Sequence, residues 1–226
     1  YRTLELDLVA VKSPQFSYSR IKGADPRSHV EMASTGEVAC FGDSYAEALL
    51  KSMMAAGFRL PKKNVLVSLG QQENKIKMLP AMQVLADMKF KIFATEHTAD
   101  FLQTHGIECE KVYKISHKKT PNVMGLLENS SLDLIINIPT HAIGLESTDG
   151  FIIRRKAVDM NIPLITNRQL ADAFVMALAE QKAKRSGVPH QKPPNKDVAD
   201  SNGNGKPFDA RSNGLKTKSW SEYQMP

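Results

Sequence analysis

The chain has 226 residues, 42% of them hydrophobic, two cysteines and a formal net charge of +6, enough apolar material for one or two domains with a proper core. No apolar run approaches the roughly 18–20 residues that cross a bilayer, so no membrane partner is expected. Cys40 and Cys109 lie far apart, which excludes a disulfide framework and metal-ligand spacing and fits a reducing compartment. The start, Tyr1-Arg2-Thr3-Leu4, has neither an initiator Met nor a signal-peptide layout, and a fragment of a longer protein is expected.

In chain order, Leu6 to Val11 reads as a strand, Pro14 to Tyr18 as an extended piece, Gly23-Ala24-Asp25-Pro26 as a turn, and Ser34 to Val38 as a turn entering a short strand. Residues 1–42 hold too few apolar side chains for their own core and should pack against something else. Ser44 with Glu47 forms a capping box before Tyr45, Leu49, Leu50, Met53 and Met54 at helical spacing, and Gly57 ends that run. From Val65 strands and helices alternate. The strands are Val65–Leu69, Phe90–Ala94, an edge strand from Ile107 to Tyr113, Leu132–Ile138 and Ile162–Ile165. Between them, one helix has Pro80 in its first turn, one starts at Thr98 and one opens on Pro121. A further helix runs near Ile152–Met160, and a last one is capped by Asn167. Leu132–Ile138 is nearly continuous in apolar residues, as in a strand buried on both faces of a parallel sheet. The expected fold is therefore α/β, a doubly wound parallel five-stranded sheet. From Lys182 on the composition turns polar, and nine Lys/Arg against four Asp/Glu carry most of the positive excess there. A disordered basic tail is expected, and no nucleic-acid partner, because a binding footprint belongs on a folded face with aromatics to stack on bases.

Ligands of open parallel sheets sit beyond the carboxyl ends of the strands. That rule nominates Ser68 to Lys75, Thr95 to Thr98, Lys114 to Lys119 and Asn137 to Thr140. Hydroxyls, an amide and lysines can hold a phosphate or carboxylate. They offer little for turnover, so no catalytic and no metal-ligating residue is expected. Thr98 could alternatively be only an N-cap. Asn137 needs a partner, either backbone or ligand. His97 and His117 are the nearest acid–base candidates, each more simply a surface residue. Arg154-Arg155 reads first as a structural ion pair.

Two regions carry a family resemblance. Val11-Lys12-Ser13-Pro14-Gln15-Phe16, Gly23-Ala24-Asp25-Pro26 and Glu31-Met32-Ala33-Ser34-Thr35-Gly36-Glu37-Val38 resemble the trailing segment of the second ATP-grasp half of the carbamoyl phosphate synthetase large subunit. Residues 64–181 resemble that family's regulatory domain, whose fold methylglyoxal synthase shares. The motifs are Ala94-Thr95-Glu96-His97-Thr98-Ala99, Ile135-Ile136-Asn137 and Ile153-Arg154-Arg155-Lys156-Ala157-Val158-Asp159.

The resemblance implies three parts: residues 1–60 as an ATP-grasp remnant, 61–181 as a methylglyoxal-synthase-like (MGS-like) allosteric domain, and 182–226 as the tail. It implies an effector pocket of Thr95, Thr98, Asn137, Lys75 and Lys114, to which fold position adds Ser68 and Thr140. An ornithine-type or coupling site would use Glu37 and Thr166. Lys114 argues against N-acetylglutamate, and Ile138-Pro139 departs from the small polar residues that follow the Asn elsewhere. The parent enzyme would make carbamoyl phosphate from bicarbonate, glutamine-derived ammonia and two ATP, with Mg²⁺ or Mn²⁺. This piece would hold no cofactor and be inactive alone. Its partners would be the upstream synthetase domains, a glutamine amidotransferase subunit or domain and a small-molecule effector, in mitochondria or cytoplasm. Leu145 to Gly150 and Lys218 to Tyr223 look most like fungal arginine-pathway enzymes, with a pyrimidine-pathway multifunctional protein as the alternative. A free-standing lyase of the methylglyoxal synthase type is the rival from another class.

Overall fold

Apolar runs alternating with amphipathic stretches become, in the computed structural model, strands and helices over residues 8–21, 23–27, 34–117, 119–129, 131–139 and 149–186, the residues described here. The central sheet is parallel and five-stranded. Numbered along the chain, its strands are β3 (Asn64–Leu69), β4 (Lys91–Thr95), β5 (Glu110–Val112), β6 (Leu134–Ile138) and β7 (Leu164–Ile165), arranged β5-β4-β3-β6-β7. The chain winds outward from β3 to β5, then crosses back to β6 on the other side of β3. The order therefore reverses between β3 and β6, where such sheets open a crevice at their carboxyl ends.

Both faces of the sheet are covered, which is why its strands are apolar almost throughout. Val65, Val67, Leu69, Ile92, Ala94, Leu134 and Ile136 face one cluster, shared with Met78, Met82 and Leu85 of α2 (Gln72–Asp87), Leu102 of α3 (Glu96–Thr104) and Phe174 of α6 (Arg168–Ser186). Leu66, Phe93 and Ile135 face the other, with Val123 and Leu127 of α4 (Val123–Glu128) and Ile153 and Ala157 of α5 (Asp149–Asp159).

The N-terminal residues form a separate antiparallel pair, β1 (Val9–Gln15) with β2 (Gly36–Gly42). The two extended pieces expected around Val11 and Pro14 thus merge, Pro14 being tolerated because a two-stranded ribbon is all edge. Helix α1 (Tyr45–Ala55) buries Leu49, Leu50 and Met53 in the same cluster as the sheet. The capping box is present: Ser44 Oγ accepts from the Glu47 amide, and Glu47 Oε2 accepts from the Asp43 amide. Ser44 Oγ also donates to Glu180 Oε1 at 3.0 Å, tying α1 to α6.

Several boundaries differ from the expected ones, for local reasons. Helix α2 begins at Gln72, so Pro80 sits mid-helix; it is exposed, and the carbonyl it leaves without an N–H partner is on the solvent side. Helix α3 begins at Glu96, making Thr95 the N-cap and placing Thr98 in the first turn. Pro121 stays outside α4, because its carbonyl accepts from the Tyr113 amide and Asn122 takes the cap, accepting from the Gly125 amide. Helix α5 starts at Asp149 rather than near Ile152, and β6 starts at Leu134, since Asp133 turns to accept from the Lys63 and Asn64 amides. Helix α6 continues to Ser186, past the expected tail start at 182, supported by Lys184 with Glu180 and by Lys182 Nζ on the Met88 carbonyl. Residues 187–226 lie outside the described residues.

Two substitutions separate core packing from helix strain. Phe174, fully buried and edge-to-face with Phe58 at 5.2 Å, should cost about 3–5 kcal/mol on Phe174→Ala. Pro80→Ala should instead stabilise, by roughly 1–3 kcal/mol, because it restores a helix hydrogen bond on the exposed face. Urea titration of both variants against the parent chain reads the two signs.

Candidate functional site

The alternation that buries Leu66, Phe93 and Ile135 on one sheet face carries two residues further along each strand to Ser68, Thr95 and Asn137. Three adjacent strands therefore end in a polar row on one face. Ser68 and Asn137 are register partners, and Thr95 Oγ1 lies 3.2 Å from Ser68 Oγ. Thr95 and Asn137 are 3% and 2% exposed, so each needs a partner inside the protein or in a ligand.

Thr98 lies behind the row. Its Oγ1 accepts from the Leu69 amide at 3.0 Å and sits 3.4 Å from Thr95 Oγ1. Thr98 is thus no N-cap; it clips α3 to the end of β3. Thr95 occupies the cap position without using its side chain to cap, and Gln71, which precedes α2 at φ 53°, does not cap with its side chain either. Two helix starts with no side-chain cap therefore border the row, and first-turn N–H groups favour negative charge.

These groups line a cavity of about 560 Å³, within the usual size of small-molecule sites. Its walls include the expected Ser68, Lys75, Thr95, Thr98, Lys114 and Asn137. Thr140 lies outside the described residues. Glu37 does not line it; that side chain is exposed on β2 and pairs with Lys12 at 2.9 Å. Thr166 lines a different cleft, between the β1 ribbon and α6, so the structure does not bring Glu37 and Thr166 into one pocket.

The charge in the cavity is mostly positive. Lys75 Nζ donates to the His97 carbonyl at 3.0 Å. Burial holds Lys75 below the ordinary lysine value, Lys114 adds to that, and Asp100 opposes it. A bound anion would favour the charged form of Lys75 that burial and Lys114 disfavour. Among the described lining residues the carboxylate is Asp149, and it is committed: its two oxygens accept from the Ser116 amide and hydroxyl at 2.9 and 2.7 Å. His97 is exposed at the wall, and His117 is paired with Glu96 at 2.7 Å. His117, although oriented by that carboxylate, does not line the cavity, so the pair is not placed to act on a molecule bound there.

Residues that the sequence did not assign to the cavity complete the site. Asn137 Oδ1 accepts from Arg154 Nη1 at 2.9 Å, so the buried amide is answered by a buried guanidinium, 3% exposed. Arg154 also grips Asp25 with two parallel bonds, Nε to Oδ1 and Nη2 to Oδ2, both 2.7 Å. The ion pair expected of Arg154 is real, and its partner comes from the N-terminal segment. Arg27, whose Nε lies 2.6 Å from Asp25 Oδ2, lines the same cavity. Arg155 donates from Nη1 to the carbonyls of Tyr18, Ile21 and Ala24. Sequence signalled a turn and a resemblance motif at Gly23–Pro26 but no role in the cavity; an Asp and an Arg flanking that Pro were the clue to a buried charge cluster.

A scan against family models matches residues 77–166 to "MGS-like domain". The chain carries an MGS-like domain. Curated relatives extend the likeness beyond that domain. Multifunctional protein ura1 of Schizosaccharomyces pombe is 42% identical over 182 residues, 77% of this chain and 8% of that protein. Multifunctional protein CAD of Squalus acanthias is 42% identical over 185 residues, 76% of this chain and 8% of that protein. Carbamoyl-phosphate synthase [ammonia], mitochondrial, of Homo sapiens is 38% identical over 180 residues, 78% of this chain and 12% of that protein. The chain therefore spans about a tenth of the length of these relatives. Methylglyoxal synthase from Elizabethkingia anophelis NUHP1 aligns with a TM-score of 0.42 at 18% identity, over 51% of this chain and 79% of that one, too slight a likeness to bear on the site. The relatives do not separate an arginine from a pyrimidine branch.

The Asp25 cluster makes the chain acid-sensitive in a predictable direction. Burial alone would raise the Asp25 carboxyl, but the Arg154 hydrogen bonds and the charges of Arg154 and Arg27 outweigh it and hold it below the ordinary value. A carboxylate lowered on folding stabilises above its unfolded value, about pH 4, and that contribution is lost as pH falls through the folded value. Asp25→Asn, which leaves Arg154 buried without its anion, should cost about 3 kcal/mol at neutral pH. It should also remove that part of the stability loss between neutral pH and about pH 3. Urea melts of both proteins across that range measure it.

Proposed function

We propose that this chain is the regulatory C-terminal part of a carbamoyl phosphate synthetase and that its cavity binds a small anionic effector. One observation carries the reading: Lys75, Lys114 and Arg27 surround the Ser68–Thr95–Asn137 row where the starts of α2 and α3 also meet. Fixed N–H groups plus cations in a half-enclosed site suit a phosphate or carboxylate. Identity of 38% to the carbamoyl-phosphate synthase [ammonia], mitochondrial, of Homo sapiens supports the parent activity. In that setting the upstream domains of the same chain make carbamoyl phosphate from bicarbonate, ammonia supplied by a glutamine amidotransferase and two ATP, with Mg²⁺ or Mn²⁺. This chain alone makes none. It biases those domains through differential binding of the effector.

The lyase reading is disfavoured by the carboxylates. A proton-transferring site needs one free to act, and Asp149 at the cavity is held by Ser116. Calorimetry with UMP, IMP, ornithine, arginine and N-acetylglutamate tests the proposal, with at least one phosphate- or carboxylate-bearing compound expected to bind. Lys75→Gln or Thr95→Val should weaken that compound about tenfold or more. Silence from all five, or turnover of dihydroxyacetone phosphate by the chain, would overturn it.

A further inference from the structure

We propose that the segment Gly23–Arg27, which lies outside the parallel-sheet unit, completes the cavity: Arg27 contacts the bound anion, and the Asp25–Arg154 pair positions it. This rests on the anion-binding reading of the cavity and adds to it a binding residue and a route of coupling.

The argument begins with charge. Asp25 stands between two guanidinium groups, Arg27 at 2.6 Å and Arg154 at 2.7 Å. One negative charge against two positive ones leaves the cluster with a net positive charge, and Arg27 and Arg154 both line the cavity. Arg154 commits all three of its nitrogens, one N–H each, to Asn137 and to both oxygens of Asp25. Arg27 meets Asp25 through Nε, and its guanidinium carries two further nitrogens with donors in a planar fork suited to phosphate or carboxylate. Of the two lining guanidinium groups, Arg27 is thus the less committed and the less buried, with both terminal nitrogens available to a ligand.

Position follows from the chain. Gly23 takes φ 77°, a left-handed turn that suits glycine, and Pro26 is buried. The carbonyls of Tyr18, Ile21 and Ala24, just upstream, converge on Arg155 Nη1 at 3.0 to 3.1 Å. Adjacent arginines of α5 therefore divide the work: Arg155 holds the backbone of the segment, and Arg154 holds its carboxylate. The segment descends from the β1–β2 ribbon, so an anion that engages Arg27 draws together the cavity and the ribbon side of the chain. Linkage then requires reciprocity: whatever docks the segment more firmly tightens the anion, and whatever lifts it loosens the anion.

The test uses the whole chain, inorganic phosphate as probe, calorimetry and hydrogen exchange. Phosphate should bind and slow exchange both in residues 68–76 and in residues 16–27. Arg27→Gln should weaken phosphate about tenfold and abolish the slowing at 16–27 while keeping it at 68–76; Arg27→Lys should fall between. Unchanged exchange at 68–76 without phosphate confirms that the variants are folded. Phosphate affinity in Arg27→Gln equal to the parent's, or exchange at 16–27 indifferent to phosphate, overturns this proposal. If Lys75→Gln then still loses phosphate, the cavity reading stands by itself. Slowing at neither segment overturns both.

Discussion

A guanidinium cannot be taken out of water without an answer for its charge and its donors. Arg154 is 3% exposed, and the geometry around it follows from that constraint. Asp25 supplies the charge through two parallel bonds, and Asn137 supplies an acceptor at the end of β6. One side chain on α5 therefore joins the carboxyl edge of the sheet to a segment that precedes the sheet by forty residues of chain. Removing either partner would leave a buried donor or charge unanswered, so the two parts of the molecule are held in one arrangement.

The character of the cavity comes from the ends of elements rather than from their middles. Each strand that contributes is apolar until its last turn of the pleat, and there the inward face switches to hydroxyl or amide. Both bordering helices begin without side-chain caps, so their first-turn amides are not satisfied by the usual local device. Lys75 and Lys114 add positive charge, and burial together with Lys114 disfavours the charged form of Lys75. On the proposed reading, such a site holds negative charge still. Among the described lining residues the one carboxylate, Asp149, is held by Ser116, and the His117–Glu96 pair lies outside the lining.

The α/β alternation, the capping box at Ser44 and the polar residues at strand ends were legible because each depends on spacing within a few residues. Helix starts at Thr98 and Pro121 were misplaced for a complementary reason. Thr98 has the chemistry of a cap, but its oxygen is taken by the Leu69 amide across a strand gap. Pro121 has the geometry of a first helical residue, but its carbonyl is recruited by Tyr113. Local propensity yields when a distant backbone group offers a better partner.

Periodicity and strand-end chemistry in the sequence by themselves determined the parallel five-stranded layer and six of the cavity's residues: Ser68, Lys75, Thr95, Thr98, Lys114 and Asn137. Only the tertiary structure decided that Arg27 joins them, that Glu37 and Thr166 stay apart, and that Asn137 is answered by Arg154. The physical reason is separation. Asp25 and Arg154 are 129 residues apart, and no local rule of spacing or propensity reports which buried charge will meet which across that distance.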